Sequence, residues 1–229
     1  GSADVNEWLA GGYEKDVVTM IAGCPGSGKS NFCILAACSM AKKGKKVIFV
    51  DSEGGFSVER VKQIVGTDYE KILENIMLLK PMNFSEQKKD FEKILKNVNS
   101  EIGLIIIDSI AMHYRLELGQ ASSLKDEEKI YNINREVSKQ MKILVEISRN
   151  KNIPVIVTNQ VYHQFVKMDE FKSGFEKETN IVGGDLLQYW SKCIIELKKD
   201  GSRRKAFLLK RRNLPEKELS FVIRDEGIF

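Results

Sequence analysis

The sequence predicts an α/β fold in which helices flank a mostly parallel sheet and antiparallel strands form the C-terminal edge. Three observations support this prediction. Apolar strand segments and amphipathic helical segments alternate along most of the chain, as in proteins built from right-handed βαβ units. A glycine-rich segment joins the first predicted strand to the first long helix. After Gly183-Gly184 the pattern changes to short alternating runs separated by turn residues.

Composition limits the number of domains and the class of protein. With 229 residues, 42% of them hydrophobic, the chain can form one well-buried core, so we expect a single domain over residues 3–229. Gly1-Ser2 has the form of a cloning scar. No apolar run approaches the roughly 18 residues of a membrane span, and we expect a soluble, cytoplasmic protein. The cysteines show no C-x-x-C spacing and are interpreted as reduced packing residues: Cys24, Cys33, Cys38 and Cys193.

The first half of the chain predicts three strands separated by helices. Apolar runs that lack helical periodicity are typical of buried parallel strands. Gly44 ends the first helix, as glycine commonly does. The predicted strands cover 17–22, 46–51 and 76–80, and the predicted helices cover 29–43 and 58–66.

The second half continues the alternation as far as residue 160. An amphipathic helix is predicted over 85–98, with Ser85 as its capping residue. The apolar run 104–108 predicts a buried strand, and a long helix over 124–150 leads to a strand at 154–160, which Pro154 opens.

The C-terminal segments have the period of strands. The runs "KCIIELKK", "RRKAFLLKR" and "ELSFVIRD" are joined by "DGS" and "NLPEK" turns, and we expect them to form antiparallel strands at one edge of the sheet. The stretches 112–123 and 161–182 carry neither a helix pattern nor a strand pattern.

The strongest chemical signal is a phosphate-binding loop, the Walker A motif. Residues 23–30 fit G-x-x-x-x-G-K-[ST] between a predicted strand and a predicted helix, so that backbone N–H groups and the positive end of the helix dipole converge on an anion. Lys29 is expected to reach the β- and γ-phosphates of ATP, and Ser30 to hold Mg²⁺. The predicted ligands are Gly23, Cys24, Pro25, Gly26, Ser27, Gly28, Lys29, Ser30 and Asn31.

Polar residues at the carboxyl ends of the strands complete the predicted site, because ligands of open α/β sheets bind at that edge. Asp108 closes a buried apolar strand and is expected to position Mg²⁺. Glu53 could orient or deprotonate a water molecule, with Asp51 as the competing carboxylate. Gln160 ends its strand with a neutral amide that could sense a γ-phosphate.

Positive charge concentrates near the C-terminus, although the net charge is only +4. A stripe of this kind could follow a nucleic-acid backbone, or it could be a solvated lysine-rich hairpin. The segment from Ser191 to Lys217 contains only three acidic residues but ten basic ones: Lys192, Lys198, Lys199, Arg203, Arg204, Lys205, Lys210, Arg211, Arg212 and Lys217.

Several motifs together resemble a known family. The segments "FVDSEGGFSVERV", "LIIIDSI" and "PVIVTNQV", followed by "GGDLLQYWSKCIIEL", "NLPE" and "FVIRDEGI", are similar to the RecA/RadA recombinase core, and specifically to the archaeal RadB group. The order and spacing of these segments extend over nearly the whole chain. The resemblance implies a RecA-like P-loop ATPase core.

The resemblance also assigns roles to residues. It implies that Glu53 is the catalytic glutamate, Asp108 the Walker B aspartate and Gln160 a switch between nucleotide and DNA. Arg60 matches the arginine that stacks on adenine. The stretches 112–123 and 161–182 match two DNA-binding loops, although a flexible lid over ATP would look similar. Candidate DNA contacts are Arg115, Tyr162, His163 and Lys167 in these loops, with His113 and Tyr114 beside Arg115, and Arg203, Arg204 and Lys205 in the basic stripe.

The departures from the family's full recombinases concern assembly. An N-terminal helical DNA-binding domain and an F-x-x-A polymerisation segment are missing from the sequence, which favours a monomer or dimer over a filament. Lys210-Arg211-Arg212 replaces an aspartate-containing turn, and could act across a subunit interface or contact DNA phosphate.

Three functional hypotheses remain. The favoured one is an ATP-binding and DNA-binding accessory protein of recombination and repair, whose weak hydrolysis is a switch and whose partners are single-stranded DNA, double-stranded DNA as a further candidate, and a RadA-type recombinase by resemblance. The second is a DNA-stimulated strand-exchange enzyme. The third, a KaiC-like signalling ATPase, would need no DNA, and the basic stripe and the aromatic residues of the second loop argue against it.

Overall fold

Helices alternate with strands along the computed structural model, which describes residues 2–163, 179–201 and 203–229. The strands are β1 (Val18–Gly23), β2 (Lys46–Asp51), β3 (Ile76–Leu79), β4 (Ile102–Asp108), β5 (Val155–His163), β6 (Thr179–Ile181), β7 (Cys193–Asp200), β8 (Arg203–Lys210), β9 (Lys217–Phe221), β10 (Ile223–Arg224) and β11 (Gly227–Ile228). The helices are α1 (Ala3–Trp8), α2 (Lys29–Lys42), α3 (Val58–Val65), α4 (Tyr69–Leu73), α5 (Phe84–Asn97), α6 (Met112–Ser123), α7 (Glu127–Lys151) and α8 (Gly184–Trp190), with a 3₁₀ turn at Gly66–Asp68.

The predicted α/β architecture is confirmed by the topology of the sheet. Its strands follow the order β3-β2-β4-β5-β1-β7-β8-β9, and the pairs from β3 through β7 are parallel. Strands β8 and β9 continue the sheet in antiparallel fashion, as expected for the C-terminal edge. The strand β7 differs from the prediction on one side, because it pairs parallel with β1 and antiparallel only with β8.

Alternate residues of the central strands pack against different helical layers. In β1, Met20 faces the layer formed by α5, α6 and α7, whereas Ile21 faces the layer that contains α1, α2 and α3. Both side chains are fully buried. The sheet is therefore covered on both faces, and its open polar groups gather at the carboxyl ends of the strands.

The stretch that lacked a pattern at 112–123 is the helix α6. Its inward positions include His113 and Tyr114, whose polar atoms find partners: His113 Nε2 lies 2.8 Å from the Pro81 carbonyl oxygen, and the Tyr114 hydroxyl donates to Asn134 Oδ1 at 2.8 Å. Polar side chains at buried positions removed the apolar period by which a helix is normally predicted.

The predicted start of α5 was wrong by one residue, and its predicted capping residue was wrong by two. Asn83, not Ser85, caps the helix, and its Oδ1 accepts a hydrogen bond from the Glu86 backbone N–H at 2.9 Å. Glu86 in turn accepts from the Met82 N–H at 2.8 Å. The sequence signal was an asparagine followed three residues later by glutamate, a variant of the capping box.

Short helices account for most of the remaining differences. The helices α1, α4 and α8 have five to seven residues each, too few to show a clear period in the sequence. Among the described residues, none of the helices combines the length and the apolar character needed to cross a membrane.

Candidate functional site

The glycine-rich loop turns between β1 and α2 at the carboxyl end of the sheet. Gly26 and Gly28 have φ angles of 74° and 112°, in the left-handed region that favours glycine. A β-carbon on Gly23 would lie 2.5 Å from Ser27 Oγ and 2.7 Å from the Leu197 carbonyl oxygen, so only glycine fits there. The residues predicted to form a phosphate loop thus occupy a strand-to-helix turn with the required backbone freedom.

Lys29 lies buried at the start of α2. Its Nζ donates to the Gly23 carbonyl oxygen at 2.9 Å and to the Cys24 carbonyl oxygen at 3.2 Å, so the ammonium bridges the loop from within. Burial lowers the pKa of Lys29, while the carboxylates of Glu53 and Asp108 act in the opposite direction. The positive charge is thereby held beside the two acidic groups of the site.

Asp108 ends β4 and is fully buried. Its Oδ1 accepts a hydrogen bond from Thr158 Oγ1 at 2.5 Å. Burial raises the pKa of Asp108, and the hydroxyls of Thr158 and Ser30 partly oppose that effect. Its Oδ2 faces Ser30 and has no well-formed hydrogen bond among the described residues.

The space between Asp108 and Ser30 fits a small cation. A β-carbon on Gly55 would lie 2.8 Å from Ser30 Oγ and 3.4 Å from Asp108 Oδ2, so both oxygens border the same confined volume. A carboxylate and a hydroxyl at the head of a phosphate loop are the donor set that Mg²⁺ takes in such sites. The residues present therefore suit a nucleotide with its Mg²⁺.

Asp51 and Glu53 were the two alternative carboxylates for orienting a water molecule, and they have different surroundings in the structure. Asp51 is buried, and its oxygens accept hydrogen bonds from the backbone N–H groups of Gly55 at 2.9 Å and Phe56 at 3.1 Å. It holds the turn after β2 in place. Glu53 lies on that turn and is partly exposed.

Glu53 is oriented by two side chains from neighbouring strands. Its Oε1 accepts from Ser109 Oγ at 2.6 Å and from Gln160 Nε2 at 3.1 Å. Ser109 is fully buried and follows Asp108 through a cis peptide bond. Sequence reasoning missed Ser109, and its position directly after the acidic residue of β4 was the only signal available.

The amide of Gln160 connects Glu53 with an arginine on α6. Gln160 Oε1 accepts from Arg115 Nη1 at 3.0 Å, so Arg115, Gln160 and Glu53 form one hydrogen-bonded series. Arg115 is exposed, whereas its neighbours His113 and Tyr114 are buried. Of the three residues predicted to face DNA from the first loop, only Arg115 is available to solvent.

Arg60 projects from α3 towards the C-terminal hairpin formed by β10 and β11. Its Nη1 donates to Gln63 Oε1 at 3.0 Å and to the Asp225 carbonyl oxygen at 2.9 Å. Its Nε and Nη2 are buried without a partner in the described part of the chain. The planar group predicted to stack on adenine therefore lies beside the C-terminal hairpin, with two donors that have no acceptor among the described residues.

The basic stripe does not form one surface. Arg203 is exposed, Arg204 is partly buried, and Lys205 Nζ pairs with Glu218 Oε1 at 3.2 Å. Further along, Arg212 Nη2 pairs with Glu14 at 2.9 Å and Asp16 at 2.6 Å, and the Arg211 Nη1 donates to the Leu9 carbonyl. Arg211 and Arg212 thus have partners within the chain, on the segment that precedes β1.

Three predicted DNA contacts cannot be placed. Tyr162 and His163 are part of β5, but the structure describes only their backbone. Lys167 lies outside the described residues. Their assignment to DNA stays a prediction.

Comparison with known proteins finds relatives that match this chain over nearly its whole length. The family model described as Rad51 matches residues 1–229. Curated relatives named "DNA repair and recombination protein RadB" include those of Methanobrevibacter smithii, 39% identical over 99% of this chain and 93% of that protein, and Methanocaldococcus jannaschii, 38% identical over 98% of both chains. The relative from Methanococcus maripaludis is 40% identical over 98% of this chain and 96% of its own.

A solved structure gives the same result for the fold. "Crystal structure of the RadB recombinase" is 31% identical in sequence, covers 100% of this chain and 96% of that one, and superposes with a TM-score of 0.78.

Proposed function

Because this chain belongs to the Rad51 family of RecA-like proteins, we propose that it is an ATP-binding and DNA-binding accessory protein of homologous recombination and DNA repair. In this proposal weak ATP hydrolysis acts as a switch that regulates or loads the main recombinase. The name shared by the relatives, which describes them as DNA repair and recombination proteins, supports the biological process.

The single observation that carries the proposal is the hydrogen-bonded series from Arg115 through Gln160 to Glu53. Arg115 is an exposed cation that can bind a DNA phosphate. Glu53 lies beside the phosphate loop and can act on water. Since one amide joins the two, occupation of the nucleotide site beside Glu53 would alter the hydrogen bond that Arg115 makes and with it the affinity of Arg115 for DNA, which is what a nucleotide-controlled switch requires.

The residues of the loop have separate roles in this proposal. Lys29 and the backbone N–H groups of Gly26 to Ser30 would bind the phosphates of ATP. Ser30 and Asp108 would hold Mg²⁺, which supplies charge neutralisation at the phosphate oxygens. Glu53, held by Ser109 and Gln160, would orient a water molecule and receive its proton at a carboxylate oxygen.

We infer the partners from the family and from the exposed groups. Single-stranded DNA would contact Arg115, with Tyr162, His163 and Lys167 as further candidates, and double-stranded DNA is a second candidate ligand. A RadA-type recombinase would be the protein partner, and the cytoplasm, where the archaeal chromosome lies, the site of action. The residues 3–229 would act as a single RecA-like domain.

The test of the proposal is the steady-state rate of ATP hydrolysis with and without saturating single-stranded DNA. Low salt is needed so that phosphate contacts are not screened. A slow rate that DNA changes little, with ATP and DNA each bound in separate titrations, would support the accessory switch. A protein that binds neither ligand would contradict it.

The contact between Gln160 and Glu53 also favours a second candidate, a DNA-stimulated ATPase that exchanges strands itself. Large stimulation by DNA in the same experiment would support this candidate, and a strand-exchange assay would then be the next measurement. A slow, DNA-independent rate would exclude it.

A further inference from the structure

The three consecutive basic residues at the start of β8 point to different sides of the sheet. Successive side chains of a strand alternate between its faces, so Arg204 shares a face with the buried residues Ala206 and Leu208. Arg203 and Lys205 project to the opposite face. Adjacent charges in the sequence therefore do not act on one ligand.

The face of Arg204 is the one that packs on α2 and its phosphate loop. Arg204 lies opposite Phe221 of β9 in the strand register, and the ring of Phe221 packs edge-on against Phe32 of α2, with ring centroids 5.2 Å apart. A β-carbon on Gly28 would lie 2.8 Å from Ile223 Cδ1, 3.9 Å from Phe221 Cε2 and 4.0 Å from Arg204 Cδ. The stem of Arg204 thus passes beside the last glycine of the loop.

The guanidinium of Arg204 has no partner among the residues that the structure describes. Within the part of the chain that the structure describes, Arg204 makes neither a hydrogen bond nor an ion pair, and its Nε is buried. Removing the Nε–H donor of a cation from water without compensation is costly, so Arg204 is expected to meet an acceptor in the functional state. Lys205, on the other face of the strand, differs from Arg204 because its ammonium already pairs with Glu218.

We propose that Arg204 is a nucleotide ligand, whose guanidinium binds phosphate oxygens of the ATP held by the loop at Gly28, and that it is not part of the DNA-binding surface. The inference rests on the proposed ATP binding. A planar guanidinium binds phosphate through two parallel N–H groups, which suits an arginine at the rim of a loop that already collects anionic oxygens. DNA phosphate is the other source of the same chemistry, and it would reach Arg203 on the exposed face.

The experiment compares Arg204→Gln with Arg203→Gln. The two variants remove the same charge from neighbouring positions on opposite faces of one strand, which makes Arg203→Gln a matched control. The dissociation constant for ATP with Mg²⁺ is measured by calorimetry, and that for a fluorescent single-stranded oligonucleotide by anisotropy in the absence of nucleotide. Both readouts are independent of turnover.

Arg204→Gln is expected to weaken ATP binding roughly tenfold to a hundredfold, as for loss of a hydrogen bond to a charged group, and to leave oligonucleotide binding within about twofold. Arg203→Gln is expected to leave ATP binding unchanged. Equal ATP affinities for the two variants, or a loss confined to DNA binding in Arg204→Gln, would overturn the inference.

A conservative variant protects the test against misfolding. Arg204→Lys keeps the charge and the apolar stem but loses the planar pair of donors, so we expect it to bind ATP more weakly than the parent and more tightly than Arg204→Gln. If Arg204→Lys binds ATP as the parent does and Arg204→Gln melts early, Arg204 is structural and the inference fails. Failure of the parent chain itself to bind ATP would instead refute the proposed function.

Discussion

Asp108 is the residue whose charge most clearly opposes stability, because it is fully buried at the end of β4 and burial raises its pKa. Asp108→Asn keeps an oxygen that can accept from Thr158 while it removes the buried charge. We expect the melting temperature without ligand to rise by roughly 2–4 °C per kcal/mol gained, and the additional stabilisation that Mg²⁺ gives in the presence of ATP to disappear.

Thermal unfolding with and without ATP and Mg²⁺ measures both effects. Asp68→Asn is the control, since Asp68 is exposed and its substitution should change stability by no more than about 0.5 kcal/mol. A less stable Asp108→Asn that still responds to Mg²⁺ would contradict this account of the site.

Glu53 and Asp51 differ in what their carboxylates contact, and that difference predicts different kinetics. Glu53→Gln should bind ATP normally and hydrolyse it on the order of a hundredfold or more slowly, because the group that accepts the proton is lost. Ser109→Ala should hydrolyse ATP at a rate between those of the parent and Glu53→Gln, since it removes one of the hydrogen bonds that orient Glu53. Single-turnover rates at saturating ATP distinguish these effects from changes in binding.

An unchanged rate in Glu53→Gln would transfer the role to Asp51 or leave the water without a protein base. In that case Asp51→Asn would have to be slower than the parent while it keeps the turn that the N–H groups of Gly55 and Phe56 form on Asp51.

At the residue scale, the sequence could identify groups with a fixed spacing and could not identify their neighbours. Lys29, Asp108, Glu53 and Gln160 could be singled out because each lies at or just beyond the end of a predicted strand or at the start of a predicted helix. Ser109 and the split between Arg203 and Arg204 depend on side-chain directions and on distances between strands that are far apart in sequence.

Helices α5 and α7 are joined beneath the sheet by a pair of buried amides. Gln87 Nε2 donates to Gln140 Oε1 at 2.8 Å, and both residues are fully buried. Gln140→Leu should lower the free energy of unfolding by about 1–3 kcal/mol, because it leaves the buried Gln87 amide with only its long contact of 3.5 Å to the Ile110 carbonyl oxygen. Urea unfolding measures this loss.

The double variant Gln87→Leu with Gln140→Leu is the informative comparison. Replacing both polar partners by apolar groups of similar size can be nearly neutral, so the double variant should be more stable than either single one. Additive losses would mean that each glutamine stabilises the protein through packing of its own and that the hydrogen bond contributes little.

At the element scale, prediction succeeded wherever the pattern was long and apolar. The strand β2 was placed at its observed residues, and the helix α2 differed by one residue at its end. Prediction failed for α6, where polar groups occupy buried positions, and for α1, α4 and α8, which are shorter than the window in which a period can be recognised.

The oligomeric state of the whole molecule distinguishes the proposed accessory protein from a recombinase that forms filaments. If the chain is the accessory protein, we expect light scattering during gel filtration to give the mass of one or two chains, both alone and with ATP and single-stranded DNA. A mass that grows with protein concentration, together with filaments seen by electron microscopy, would refute this prediction.

The arrangement of the whole sheet was predictable because each βαβ unit has one favoured hand and parallel strands share one functional edge. The C-terminal edge was only partly predictable. Alternating runs indicate strands, but the sequence does not reveal that β7 enters the sheet beside β1 in parallel or that β10 and β11 leave it as a separate hairpin.

The amide of Gln160 has an acceptor at one end and a donor at the other, and each end is paired with a group of the opposite charge. Its oxygen points to a cation, Arg115, and its NH₂ to an anion, Glu53. Rotation of the amide by half a turn would set oxygen against carboxylate and NH₂ against guanidinium, two repulsions in place of two attractions. The side chain therefore behaves as an oriented dipole whose direction is fixed from both ends, and a phosphate that drew Arg115 away would free that dipole to turn.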